Sequence, residues 1–325
     1  MCHVIILDGT MSTMKQGCET NAGLTFKLLK KAGASDVTLY YEPGLQWADW
    51  RGTRDIITGR GINRQIRRAY GVLASRFKPG DKIILMGFSR GAYAVRSLAG
   101  VIDRVGLLTA QNATERNIRT AYRLYRDPTR TAGAVAFANS HCHPEVEIEM
   151  IGAWDTVKAL GFCPMFLRPF ESTKHDFHNH ELGPHIRHGY QALALNETRV
   201  AYDPVIWETG VNCDCDNTHV EQVWFRGTHG DVGGQLNGFH AARPLANIPL
   251  VWMLERAEKH GLTLPDNWQA DYPTDASAPS VGNWRGWGKI LWFRAPRKVG
   301  EDASERIHDT AFNSEFGYDA VVQPH

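Results

Sequence analysis

The chain has 325 residues, enough to bury a full core as one large α/β unit or two modest ones. Its 43% hydrophobic and 22% charged residues mark an ordinary globular protein, and a formal net charge of +1 excludes a general attraction to nucleic acid or to an anionic membrane. No stretch approaches the roughly 18 apolar residues of a membrane span, so no transmembrane segment is expected. The opening apolar run, Val4 to Leu7, is too short for a secretory signal. A cytoplasmic location is expected, with export that needs no cleaved signal left open. Cys2, Cys18, Cys142, Cys163, Cys213 and Cys215 are scattered and read as reduced thiols.

In chain order, His3 to Leu7 predicts a buried strand. Residues 21–32 have helical spacing, with Leu24, Leu28 and Leu29 on one face and Gly33 as a stop. A strand follows over 37–41, a helix over 62–77, a strand over 82–86 and a helix over 92–105. Residues 146–154 read as a strand, 186–196 as a helix, 220–225 as a strand and 245–260 as a helix. This alternation predicts an α/β fold of the α/β-hydrolase type, a mostly parallel sheet with helices on both faces. A single domain over 1–325 is expected. Residues 161–185, rich in Phe, Pro and His, read as a lid or insertion, and 265–325 as an irregular Trp-rich segment. Trp284, Trp287, Leu291, Trp292 and Phe293 read as core, with an acyl-binding or membrane-facing surface as the alternative.

Parallel sheets carry their sites at the carboxyl ends of strands. At one such end stands Gly87-Phe88-Ser89-Arg90-Gly91, a G-x-S-x-G nucleophile elbow between strand and helix. A strand-to-helix turn with a capping Ser is the plainer reading. A serine hydroxyl needs a base, and the order serine, acid, histidine selects Asp155 and His229, both just past strands. The glycines around His229 suggest a loop that presents its ring. An oxyanion hole would take N–H groups from Arg90 and from the Gly9–Thr10 loop, with Asp8 orienting that loop. Asp231 is the competing acid, but two residues from His229 it suits bonding the local backbone, and its loss should cost stability more than turnover. Phe162, Phe166, Leu167, Phe170 and Phe177 suit an apolar acyl chain. His175, His178, His180, His185 and His188, and the pair Cys213 and Cys215, form no recognisable ligand set, so no metal and no cofactor are assigned.

These motifs together resemble a family of α/β-hydrolase domains that includes the first group of type VI secretion phospholipase effectors. The resemblance runs over roughly residues 3 to 262, through LDGT, Thr20-Asn21, YYEPG, PGD, GFSRGAYAVRSLAG, GAWDTVKALG, HGYQALALNETR and VEQVWFRGTHGDVGG. Met11 departs from it, standing where relatives often carry Trp. The resemblance implies Ser89, Asp155 and His229 as a triad, with the LDGT loop beside the nucleophile. The expected activity is hydrolysis of carboxylic esters, including lipid or phospholipid acyl esters, with peripheral membrane contact as an open partner. The rival readings are a non-catalytic scaffold on a hydrolase fold, and a metal-dependent hydrolase using the histidine-rich segment. No motif sets acyl length, head group or oligomeric state.

Overall fold

Strand β1 (Cys2–Leu7) sits where the strand order of a parallel sheet reverses. In the computed structural model, which describes residues 1–44, 60–158, 182–209, 219–284 and 293–312, the sheet has seven strands in the order β2-β1-β3-β4-β5-β6-β7. They are β2 (Val37–Glu42), β3 (Lys82–Phe88), β4 (Ile148–Trp154), β5 (Ile186–Ala194), β6 (His219–Phe225) and β7 (Glu305–Ile307), each parallel to its neighbours. From β1 the chain steps outward one way to β2 and the other way to β3. The ends of β1 and β3 therefore flank a topological switch point, where open α/β sheets form their clefts. Leu7 pairs with Gly87, Phe88 with Trp154, Trp154 with Ala192 and Ala194 with Phe225, so the residues after these strands emerge along one edge.

The alternation of each strand loads both faces of the sheet. Ile5, Leu7, Ile83 and Leu85 pack under α2 (Arg60–Arg76), α3 (Arg90–Val105) and α4 (Glu115–Arg126), against Ile66, Leu73, Leu98 and Leu124. Val4, Ile6, Ile84 and Met86 pack on the other face under α1 (Asn21–Ala32) and α7 (Arg243–Lys259), against Leu28, Leu29, Leu250 and Leu254. Each fully buried Leu or Ile contributes about 1.5–3 kcal/mol. The Thr20 hydroxyl caps α1 by accepting from Gly23 N–H at 3.0 Å, and Gly33 ends it in the left-handed region, as the spacing predicts. Helices α4 and α5 (Thr131–His141) were not foreseen in the sequence, nor was β7.

Two expectations are overturned. Of the helix expected over 186–196, residues 186–194 form strand β5 and 195–196 a turn. Gly189, Tyr190, Gln191, Ala192, Leu193 and Ala194 are all buried between β4 and β6. A strand covered on both faces has no period-two pattern, and the good helix formers Gln, Ala and Leu then imitate a helix. Trp284 and Phe293 are not core: they are 63% and 57% exposed. Arg294 lies over the Trp284 ring at 4.2 Å, a contact that needs an accessible face. Trp287, Leu291 and Trp292 lie outside the described residues. Among the described residues no helix is long and apolar enough to cross a membrane. Cys2, Cys18 and Cys142 are free thiols.

Candidate active site

The turn after β3 is as sharp as the elbow motif requires. Ser89 has φ 57° and ψ −121°, a left-handed conformation that costs about 1–3 kcal/mol unless its surroundings enforce it. They do: Ser89 N–H donates to Trp154 O at 2.9 Å, and α3 starts at the next residue. The Ser89 side chain makes no capping bond to α3, which removes the plainer reading of the motif. Gly91 lets α3 start this close to β1. A Cβ there would lie 2.0 Å from Leu7 O and 2.7 Å from Asp8 O, both backbone atoms. Gly91→Ala is therefore expected to cost at least about 3 kcal/mol, because strand and helix must separate to admit one methyl. Thermal melting of the variant checks this, and an unchanged melting temperature would contradict it.

His229 is presented by a helix rather than by a loop. It is the first residue of the short α6 (His229–Gly233), which starts just beyond β6. Its Nε2 lies 2.9 Å from Ser89 Oγ and its Nδ1 lies 2.5 Å from Asp155 Oδ2. The ring is sandwiched between Tyr202, stacked at 4.6 Å and 15°, and Phe88 at 4.8 Å. Its backbone N–H donates to Glu197 Oε2 at 3.1 Å. Glu197 is fully buried and is held by Arg199, whose Nε donates at 2.7 Å and Nη2 at 2.5 Å. Burial alone would raise the Glu197 carboxyl, but the Arg199 bonds and charge outweigh it and hold the group below the usual range. Arg199 in turn covers the outer face of Tyr202 at 4.3 Å. The imidazole is thus fixed in plane and position by neighbours on every side.

Asp155 follows β4, is fully buried and also has a positive φ, 44°. Its Oδ1 accepts from Ala194 N–H at 2.9 Å. Arg297 meets both oxygens: Nη1 donates to Oδ1 at 2.6 Å and Nη2 to Oδ2 at 2.9 Å. Burial opposes ionisation here, but the Arg297 charge and the bonds from His229 and Arg297 hold Asp155 far below the usual carboxylate range. Asp231 faces elsewhere. It accepts from Thr228 N–H at 2.7 Å, Thr228 Oγ1 at 2.8 Å, Ser280 Oγ at 2.5 Å and Val281 N–H at 2.8 Å. It ties the start of α6 to residues 280–281 as well as bonding the local N–H of Thr228.

The loop after β1 stands beside Ser89. A Cβ on Gly9 would come within 2.7 Å of the Phe88 ring and 3.3 Å of Ser89 Cβ. The Gly9 N–H is not offered to the site, however, because it donates to Asp8 Oδ1 at 2.7 Å. Asp8 also accepts from the hydroxyls of Thr20 at 2.6 Å and Tyr41 at 2.7 Å, and so orients the loop; burial raises its carboxyl despite these bonds. Thr10 is held in place through its carbonyl, which accepts from Gln235 Nε2 at 3.0 Å. Arg90 opens α3, where a first-turn N–H has no intrahelical partner.

Phe162, Phe166, Leu167, Phe170 and Phe177 lie outside the described residues, as do His175, His178, His180, Cys213 and Cys215. Of the histidine-rich segment, His185 pairs with Asp103 at 2.8 Å, and His188 gathers with Glu149 and His260 at the amino ends of β4 and β5. That is the sheet edge opposite Ser89. The His188 and His260 rings stack at 3.8 Å and 24°, so their in-plane lone pairs run side by side rather than converging on one point. Burial pushes His260 down to about 4.

Glu197, Arg199, Tyr202 and Arg297 join the site without having been singled out in the sequence. Glu197 and Arg199 had a signal, a charged pair directly after a buried strand. Arg297 had none: it is 142 positions from the carboxylate it holds.

The chain is similar to several known proteins. In the yeast Saccharomyces cerevisiae, the uncharacterised protein YEL023C is 26% identical over 222 residues, which cover 60% of this chain and 31% of that protein. Among solved structures, an uncharacterised protein from Pseudomonas aeruginosa superposes at a TM-score of 0.48 with 16% identity, over 84% of this chain and 49% of the other. The Tle1 effector bound to the VgrG spike of the type 6 secretion system superposes at 0.37 with 18% identity, over 72% of this chain and 51% of the other. The chain thus spans about a third of the yeast relative and about half of each solved chain. Residues 2–256 match the family described as T6SS phospholipase effector Tle1-like, catalytic domain, and the chain belongs to that family.

Proposed function

We propose that this protein hydrolyses carboxylic esters of lipids through an acyl-enzyme on Ser89. The observation that carries the reading is the unbroken line from Ser89 Oγ through both nitrogens of His229 to Asp155. Ser89 attacks the acyl carbon while His229 Nε2 takes its proton. The same proton then passes to the leaving alcohol, and His229 next activates the water that releases the acid. Asp155 holds the Nδ1–H tautomer and balances the imidazolium. The oxyanion is held by the N–H groups of Arg90 and Thr10. Gly9 acts by closeness, since its own N–H is engaged by Asp8. The family description supports phospholipids as the lipid substrates.

Two measurements test this. A fluorophosphonate probe should label Ser89 in the wild type; a passive scaffold would stay unlabelled. A panel of p-nitrophenyl esters and phospholipids should show turnover that falls on the acid side as His229 gains a proton. Asp155 stays ionised throughout that range, because its carboxyl lies far below the usual value, so the acid limb belongs to the imidazole. A rate that stays flat from about pH 5 to 8 at subsaturating substrate would contradict the histidine base.

A further inference from the structure

The family match ends at residue 256, yet one side chain from beyond it reaches the buried heart of the site. Arg297 is 7% exposed, and its two terminal nitrogens make four hydrogen bonds. Nη1 donates to Asp155 Oδ1 and to Ala194 O at 2.9 Å; Nη2 donates to Asp155 Oδ2 and to Tyr202 O at 2.5 Å. One guanidinium therefore ties together the end of β5, the residue that stacks on His229 and the carboxylate that bonds it.

We propose that Arg297 is a positioning residue of the active site, fixing the plane of the Asp155 carboxylate against His229 and lowering the net negative charge of that pair. The proposal rests on the catalytic reading of Ser89, His229 and Asp155 given above. A carboxylate bonded only by Nδ1–H and Ala194 N–H can turn about its own axis. A planar fork that meets both oxygens removes that freedom, which a point charge cannot do. Asp155 Oδ2 is shared between His229 and Arg297, so the negative charge that would favour an imidazolium is partly spoken for. The site's geometry thus depends on chain beyond the matched family region.

Other groups facing the imidazole keep their own charge when Arg297 is changed. They are Ser89, the Phe88 and Tyr202 rings, Glu197 with its partner Arg199, and Arg90 acting on Tyr202, while the Asp231 carboxylate on the same helix is turned away to Thr228, Ser280 and Val281. Removing the Arg297 charge leaves Asp155 to act on His229 alone, which favours the protonated ring. The acid limb of activity must then move to higher pH.

The test uses the full chain with Arg297→Met and Arg297→Lys, and reads ester hydrolysis against pH, melting temperature and the NMR titration of the His229 ring. For Arg297→Met, kcat should fall about 10- to 100-fold with KM within about twofold. The acid limb and the ring titration should both move up by about one pH unit. Arg297→Lys keeps the charge and loses the fork, so its midpoint should stay at the wild-type position while kcat falls severalfold. A folded Met variant with an unmoved midpoint overturns the proposal, as does a loss that merely tracks the melted fraction. If the Met variant does not fold, the Lys variant decides, and a wild-type kcat there overturns it. If the wild type turns over no ester but the ring titration still moves in Arg297→Met, the positioning role stands and the catalytic reading falls.

Discussion

Ser89→Ala is expected to remove ester turnover by about 10⁶-fold while leaving the fold intact. The loss is large because the hydroxyl forms the covalent intermediate, and neither His229 nor Asp155 can replace that bond. The fold should persist because alanine pays the same penalty as serine at φ 57°, and the Ser89 side chain does not cap α3. The hydrogen bond to His229 Nε2 is lost, which should change stability by no more than about 1 kcal/mol. The variant should also stop reacting with a fluorophosphonate. Circular dichroism and melting curves on the same preparation would show that it is folded. A folded variant that still turns over p-nitrophenyl esters near the wild-type rate would take Ser89 out of the mechanism.

The elbow was legible because its physics is local. The small residues, the strand before and the helix after are all contiguous in the chain, and Gly91 against Leu7 O states why one of those glycines is needed. Asp155 and His229 were legible for a topological reason, since each follows a buried strand and the strand ends share an edge. The sandwich around the ring was less so. Tyr202 and Glu197 follow β5, whose continuous buried run over 189–194 disguised it as a helix, and a helix there would have placed both elsewhere. Gly9 lies close to Ser89 while its N–H turns to Asp8, and the direction of a peptide N–H is not legible from spacing because it depends on the side chain beside it. Arg297 was beyond any local rule. Its role exists only after β5, β6 and the chain past residue 284 are assembled, and nothing in the sequence around it marks it as different from a surface arginine.

Asp155→Asn should cost about 10⁴ in turnover, and Asp231→Asn tenfold or less. An amide at 155 must direct its NH2 either at the Nδ1–H of His229 or at the Arg297 fork, and both are donors. The ring then loses the tautomer that leaves Nε2 free to accept the serine proton. Asp231 touches neither Ser89 nor the imidazole nitrogens, so its replacement loosens α6 without changing the proton path. The stabilities run differently from what spacing alone suggests. Asp231→Asn keeps one acceptor for two backbone N–H groups, Thr228 and Val281, and should cost about 1–3 kcal/mol. Asp155→Asn leaves the buried Arg297 without its counter-charge, which should cost about 3–5 kcal/mol. The structure thus makes Asp155 the more damaging site on both counts, for two separable reasons. Combining Asp155→Asn with Arg297→Met should recover part of the stability, because the unpaired charge is gone, and none of the turnover. Steady-state kinetics and melting curves on the three variants would check this. Full activity in Asp155→Asn, with Asp231→Asn dead, would reverse the assignment of the acid.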